Sequence, residues 1–476
     1  MIRAAIPATA IAFALVGCAA TPAQPDPAAA VAPTWQAPLP HGGRLVELDQ
    51  WWAQFDDPLM ARLVTAAETV SPSIASAGAR IAEARATRVG AEAALLPQVN
   101  ATASASRGRP DLALPVATAS NVGLQASWEL DVFGGNRAGR SAAEARLAGA
   151  EATWHDARVV VAAETANQYL ALRACQARLV QTQLDASSRA ETARLTELSM
   201  QSGFESRGNA ALTRASAAQG LYIVKQQAEQ CDQAVKGLVA LTGIAEPELR
   251  AALGAATARL PEPASLAVPS VPAAALAQRP DVFARARAVI AASADIEQAR
   301  AQQWPQITLA GSVGAGRFAA NVGTLSGTLW SIGPVAVSLP VFDAGVRREN
   351  VVASRARYDE ATSIYAATLR AAIRDVEDAL VTLQGTADRS ADAQVAADNF
   401  EISFRAAESR YKSGFGTVFE LEDARRSALV AQIALIDLRR ERVAAWIALY
   451  RALGGGWSEP ADARTASTLQ GSGATP

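Results

Sequence analysis

Two of the three cysteines are spaced so that they could form a disulfide bond. Cys175 and Cys231 lie 28 residues before and 28 residues after Gly203, which falls in a predicted turn between two helices. In an antiparallel helical hairpin, residues at equal distances from the turn lie side by side. An oxidising compartment would therefore join the two sulfur atoms. The alternative is a pair of small, buried side chains with free thiols.

The third cysteine, Cys18, follows an N-terminal segment that is typical of export signals. Residues 1–17 carry a positive charge and then an apolar run, and small residues precede the cysteine. The segment Leu15-Val16-Gly17-Cys18 matches the pattern at which bacterial lipoproteins are cleaved and acylated. We therefore expect a covalent lipid on Cys18 that anchors the chain in the outer membrane, followed by a tether over residues 18–45. The alternative is an ordinary cleaved signal peptide.

The remaining side chains argue against several functions. The chain carries 44 basic and 46 acidic side chains in 476 residues, which leaves no basic footprint for nucleic acid. His41 and His155 are isolated, so they offer no metal-ligand spacing, and we expect no cofactor beyond the lipid. The acids of the helices lack a convergent His, Cys or Ser partner, and no phosphate-binding glycine loop is present. The sequence therefore disfavours an enzyme.

The chain contains two collinear copies of one plan. We predict a first repeat over residues 46–259, a proline-rich linker over 260–279, a second repeat over 280–456 and a flexible tail over 457–476. Four motifs recur in order at offsets of 208 to 212 residues. The matching pairs are Leu96-Pro97 with Trp304-Pro305, Val132-Phe133 with Val341-Phe342, Ser202-Gly203-Phe204 with Ser413-Gly414-Phe415, and Ala240-Leu241 with Ala452-Leu453.

Each copy is predicted to contain a short helix, two strands, and a hairpin of a long and a medium helix. The hairpins cover residues 138–242 and 346–453. The longest helix, over residues 346–412, contains no proline and would be about 100 Å long at 1.5 Å per residue. In its middle, apolar residues alternate in steps of four and three, which is typical of a packed helix pair. These residues are Leu369, Ile373, Val376, Leu380 and Leu383.

The strand pairs are predicted at about residues 98–107 and 121–131, and at about 306–318 and 329–341. Apolar and polar residues alternate along them, and in the last strand the apolar positions are Val335, Val337, Leu339 and Val341. Such strands are typical of a transmembrane barrel, with a soluble sandwich as the alternative. Four strands cannot close a barrel, so a membrane-spanning form requires two, three or four chains.

The two ends of the chain and its duplicated turn resemble the TolC-like outer membrane factors, most closely the lipoprotein (NodT-type) branch. The motifs are Trp51-Trp52 with Phe55 and Asp57-Pro58 at the start, and residues 450–457 at the end. The resemblance implies a mainly α fold with a small β part, assembled as a homotrimer with a periplasmic α-barrel and a shared twelve-stranded transmembrane barrel.

The same resemblance implies an outer membrane efflux channel without enzymatic activity. Its partners would be a periplasmic adaptor protein, an inner-membrane RND transporter that exports drugs or other small molecules, and the lipid of the outer membrane. The alternative function is a channel for type I secretion or polysaccharide export. A lipoprotein spacer is a further alternative, against which the alternating strands argue.

The resemblance also assigns a periplasmic gate to the helix turns. The family pattern is Tyr-x-x-Gly-x-x-Ser/Thr, with acids six and nine residues after the glycine. The second copy fits this pattern with Tyr411, Gly414, Thr417, Glu420 and Asp423. In a trimer, the two acids would form two acidic rings that narrow the periplasmic mouth. The alternative is a pair of solvated carboxylates near a helix start.

The first copy fits the gate pattern less well. Asn209 stands where an aspartate is common, and Gly416 stands where some family members carry an arginine. We expect the side-chain amide of Asn209 to accept a hydrogen bond from Tyr411. That bond would be weaker than the charge-assisted bond that an aspartate would make. The turns themselves are expected to dock the adaptor through Gly203, Phe204, Ser206, Gly414, Phe415 and Thr417.

Overall fold

The computed structural model describes most of the chain and confirms the mainly α fold with four antiparallel strands. The described residues are 51–52, 55–109, 116–255, 259–261, 276, 279–321 and 323–457. The signal segment 1–17, Cys18 and its tether, most of the linker and the tail after Trp457 lie outside them.

The described residues divide into two compact units. The first contains Ala84–Leu147 and Ala286–Ser363 and holds all four strands. The second contains the described parts of Ala28–Glu83, Ala148–Arg285 and Ile364–Pro476 and is helical.

The first unit is built around one antiparallel sheet in the order β1-β2-β3-β4. The strands are β1 Gln98–Gly108, β2 Ala117–Leu130, β3 Gln306–Ala320 and β4 Gly323–Ser338. Two glycines let the central strands β2 and β3 approach closely. A Cβ on Gly314 would lie 2.4 Å from the Val122 carbonyl oxygen, and a Cβ on Gly123 would lie 2.7 Å from the Val313 carbonyl oxygen. Only glycine fits this crossing.

The last strand differs from its prediction. It begins at Gly323 and ends at Ser338, so Leu339 and Val341 lie beyond it, and their placement on the strand was wrong. The ladder ends there because Ser338 pairs with Gln306, the first residue of β3, so the residues after Ser338 have no partner on that strand. Pro340 also has no N–H to donate. Val335 and Val337 do pair with β3, opposite Leu309 and Ile307.

The helices follow the plan of a short helix, a long helix and a medium helix in each half. They are α1 Pro58–Val70, α2 Pro72–Ala93, α3 Gly135–Gln201, α4 Arg207–Thr242, α5 Glu246–Ala255, α6 Pro280–Ala301, α7 Val346–Lys412 and α8 Val418–Ala452. The short helices α1 and α5 are additional to the predicted elements. In the described part of the chain, no helix is both long enough and apolar enough to cross a membrane.

The core of the second unit brings the two ends of the described chain together. The Tyr450 ring lies 5.4 Å from the ring of Trp51 and 4.8 Å from that of Trp52. Asp57 caps α1 and accepts a hydrogen bond of 2.7 Å from the buried Tyr169 hydroxyl. Val376, Leu380 and Leu383 of the α7 stripe are also buried in this core, and Leu369 is buried in a smaller cluster.

Candidate functional site

Both hairpin turns have the same backbone geometry. Gly203 and Gly414 adopt left-handed conformations, with φ values of 81° and 76°. In each turn, the amide of the following phenylalanine donates to the carbonyl oxygen five residues earlier, at 2.9 Å. This Schellman arrangement ends a helix at glycine, because a left-handed residue with a Cβ would be strained. The repeated Ser-Gly-Phe sequence therefore encodes two equivalent turns.

A hydroxyl side chain starts the returning helix after each turn. The Ser206 hydroxyl caps α4 by accepting a hydrogen bond from the Asn209 backbone N–H at 3.0 Å. Thr417 caps α8 and forms a capping box with Glu420, in which each side chain binds the other residue's backbone N–H at 3.2 Å. Both helix starts are thus fixed by local contacts.

The turns present aromatic side chains to solvent. Phe204 is 88% exposed and Phe415 is 81% exposed. Single exposed apolar side chains are common on protein surfaces, but here the same position of both turns carries one. The structure therefore brings the predicted docking residues to two exposed tips.

The two predicted gate acids lie on the first turns of α8 and are exposed. Glu420 lies 3.4 Å from an Arg410 guanidinium nitrogen, and Asp423 pairs with Arg426. Both pairs are accessible to solvent, so each contributes little to stability. Each carboxylate also remains accessible to ions in solution. The structure thus retains exposed acids at this position, each with an arginine beside it.

The predicted hydrogen bond between Asn209 and Tyr411 is wrong. The side-chain amide of Asn209 donates to the Glu205 carboxylate at 2.7 Å. The Tyr411 hydroxyl lies 2.5 Å from the Thr196 hydroxyl. The carboxylate of Glu205, four residues before Asn209, is a charged acceptor and binds the amide more strongly than a phenol would. Tyr411 still contacts the first hairpin, through α3 instead of α4.

Sequence reasoning missed a buried ionic network close to these acids. Arg425 on α8 is only 2% exposed and pairs with Glu422. Glu422 also lies 3.3 Å from Arg189, which binds Asp185 at 2.7 Å. Burial lowers the pKa of the Arg425 guanidinium, with the Glu422 charge opposing that effect. The spacing of Glu422 and Arg425 gave a signal for a pair, but not for its burial.

The two cysteines are joined in the structure. Cys175 on α3 and Cys231 on α4 form a disulfide with a Cα–Cα distance of 5.5 Å, and both are buried. The Gln227 amide also donates to the Cys175 sulfur at 3.0 Å. The bond links the two arms of the first hairpin.

One face of the sheet is mainly apolar and the other is mainly small and polar, although the polar face also carries Phe318, Leu325 and Leu329 towards the β3–β4 turn. Both faces are exposed to solvent in the single chain. Ser104 bonds Asn121 and Ser312 bonds Ser331 across neighbouring strands of the polar face. The opposite face carries large apolar side chains that are at least 49% exposed. These are Val99, Val122, Leu124, Val313, Trp330, Ile332, Val335 and Val337.

Comparison with known proteins gives a consistent result. The family described as "Outer membrane efflux protein" matches residues 63–244 and 271–455. The pyoverdine export outer membrane protein OpmQ of Pseudomonas putida is 30% identical over 470 residues, which cover 95% of this chain and 98% of that protein. The outer membrane protein OprJ of Pseudomonas aeruginosa is 31% identical over 466 residues, covering 94% and 95%.

Solved structures agree with the sequence comparison. The outer-membrane channel OprN superposes with a TM-score of 0.81 at 26% identity, covering 91% of this chain and 98% of that one. Similarity in sequence and in structure therefore extends over nearly the whole chain.

Proposed function

The chain belongs to the outer membrane efflux protein family, and we propose that it is the exit duct of a tripartite pump driven by an inner-membrane RND transporter. As an outer membrane channel that extends into the periplasm, it needs no catalytic site. OpmQ is named for pyoverdine export, which favours small organic molecules over proteins or polysaccharides as the exported class. The energy for export would come from the transporter.

The observation that carries this proposal is the open sheet with its two chemically different faces. A sheet with an exposed apolar face and a polar face suits a wall between lipid and water. Within the described residues, the outer edges of β1 and β4 have no partner strand. Open edges are not tolerated in lipid, so the sheet must be completed by other chains.

The strand order supports closure by identical neighbours. Because four antiparallel strands alternate in direction, β4 of one chain runs antiparallel to β1 of the next. Three chains then close a twelve-stranded barrel, the assembly that the family resemblance implies. Their helical hairpins would form the periplasmic α-barrel of the same trimer.

The tips and the N-terminus supply the other contacts of the pump. The exposed Phe204 and Phe415 would insert into apolar sites on the periplasmic adaptor, held in place by the two glycine turns. A lipid on Cys18 would anchor each chain to the outer membrane, as the lipoprotein signal before it suggests.

Glu420 and Asp423 would act as the periplasmic gate. In a trimer, six carboxylates near one axis repel each other and attract cations, which narrows the mouth and selects for positive ions. Arg410 and Arg426 would temper that repulsion.

The test is single-channel conductance of the purified full-length protein in a planar bilayer. We expect a small, cation-selective current in the wild type, and a larger or less selective current after Glu420→Ala with Asp423→Ala. A current that the double variant leaves unchanged would place the gate elsewhere. A folded oligomer without any current, even after removal of the acids, would contradict the duct.

A further inference from the structure

The buried network of α8 lies directly behind the proposed gate acids. An α-helix turns by about 100° per residue. Glu420 and Asp423 therefore lie on one face of α8, and Glu422 and Arg425 lie on the opposite face. The first pair is exposed, and the second pair is largely buried. Rotation of α8 would move both pairs together.

The network connects the two hairpins of the chain. On the α3 side, Arg425 donates to the Thr192 hydroxyl at 2.7 Å and to Ser188 at 3.3 Å. On the α4 side, the Ser216 hydroxyl donates to Glu422 at 2.7 Å. On the α7 side, the Arg425 guanidinium lies 5.5 Å from the Phe404 ring centre. All four helices of the two hairpins thus meet at this network.

Its charges balance, but its hydrogen bonding is incomplete. Asp185 and Glu422 face Arg189 and Arg425, so two negative charges meet two positive ones. In the described part of the chain, one Asp185 oxygen and the Arg425 Nε are buried without a hydrogen-bond partner. Buried ion pairs often add little net stability, whereas removing one partner is costly. Such a network is better suited to fixing one geometry than to strengthening the fold.

From this arrangement, we propose that the Asp185–Arg189–Glu422–Arg425 network is the positioning element of the gate. It holds α8 at the rotation at which Glu420 and Asp423 form the constriction. This inference rests on the proposed gate function of those two acids. The four residues of the network are positioning residues. Arg189, Glu422 and Arg425 contact the opposite hairpin, and Asp185 holds Arg189.

The test compares network variants with gate variants in the same bilayer assay. We expect Arg425→Gln to raise the open probability about tenfold and to reduce cation selectivity, since a hydrogen bond to a charged group biases an equilibrium by at least that factor. Arg425→Lys should fall between wild type and Arg425→Gln, because lysine keeps the charge but not the forked geometry. Arg194→Gln is the matched control, because it removes an exposed arginine that pairs with Glu191 on α3, and it should match the wild type.

Two milder variants cover the case in which Arg425→Gln fails to fold. Thr192→Val removes one hydrogen bond to the network, and Ser216→Ala removes two, one to Glu422 and one from Arg189. Neither change leaves a buried charge unpaired. We expect both to raise the open probability, with thermal unfolding midpoints close to the wild type.

Three results would overturn the inference. The first is that folded network variants conduct like the wild type while Glu420→Gln with Asp423→Asn changes the current. The second is that the network variants lower only the thermal midpoint, which indicates a purely structural role. The third is that the gate variants have no effect, in which case the proposed gate fails first and this inference fails with it.

Discussion

Breaking the Cys175–Cys231 disulfide should destabilise the helical unit by a predictable amount. The bond closes a loop with a sequence separation of 56 residues. In the chain-entropy treatment, a loop of this size removes about 14 cal/mol/K from the unfolded state, or about 4 kcal/mol at 25 °C. Strain and residual structure usually reduce the measured effect, so we expect a loss of about 2 to 4 kcal/mol in the free energy of unfolding for Cys175→Ala with Cys231→Ala.

The assay is urea unfolding of the purified, non-reduced protein, followed by circular dichroism. The protein concentration is kept fixed, because self-assembly would contribute to the apparent stability. Each single variant breaks the same bond, so Cys175→Ala, Cys231→Ala and the double variant should lose similar amounts. Two separately buried thiols would instead give losses that add. Additive losses, or mass mapping that finds both thiols free in exported protein, would refute the reasoning.

Three further predictions follow from local contacts. Gly314→Ala should block β2–β3 pairing, since its Cβ would lie 2.4 Å from a carbonyl oxygen, and the proposed oligomer should then be absent from gels. Gly327→Ala, with open space around it, is the control and should behave like the wild type. Thr417→Ala should cost about 1 kcal/mol of unfolding free energy in urea titrations through loss of the capping box. Thr362→Ala, at an exposed position of α7, should be neutral or slightly stabilising. Burial, and then the nearby Arg158 charge, lower the pKa of His155 from its ordinary 6.5. The unfolded chain therefore binds this proton more readily, so thermal stability should fall as pH drops below about 6.5, and His155→Asn should flatten that dependence.

Local rules determine most of the helical boundaries. Val346–Lys412 has the bounds predicted for it, because the stretch contains no proline and ends at a glycine turn. The same rules would have found α1, since Asp57 before Pro58 is a strong start signal. The end of β4 was misplaced because apolar alternation continues to Val341, whereas the partner strand β3 begins at Gln306, opposite Ser338.

Contacts between the two hairpins could not be predicted in this way. Arg214 and Arg425 occupy equivalent positions, each 11 residues after the glycine of its turn. The Arg214 side chain is 65% exposed, whereas that of Arg425 is 2% exposed. The difference lies in their surroundings, because the first hairpin has Ala211 where the second has Glu422. Pairing with Glu422 offsets the cost of burying the Arg425 charge, whereas Arg214 lies at the surface, 3.9 Å from Glu197. The two copies therefore share one turn geometry but differ on the face behind it, and that difference is what places an ionic network behind the acids of α8.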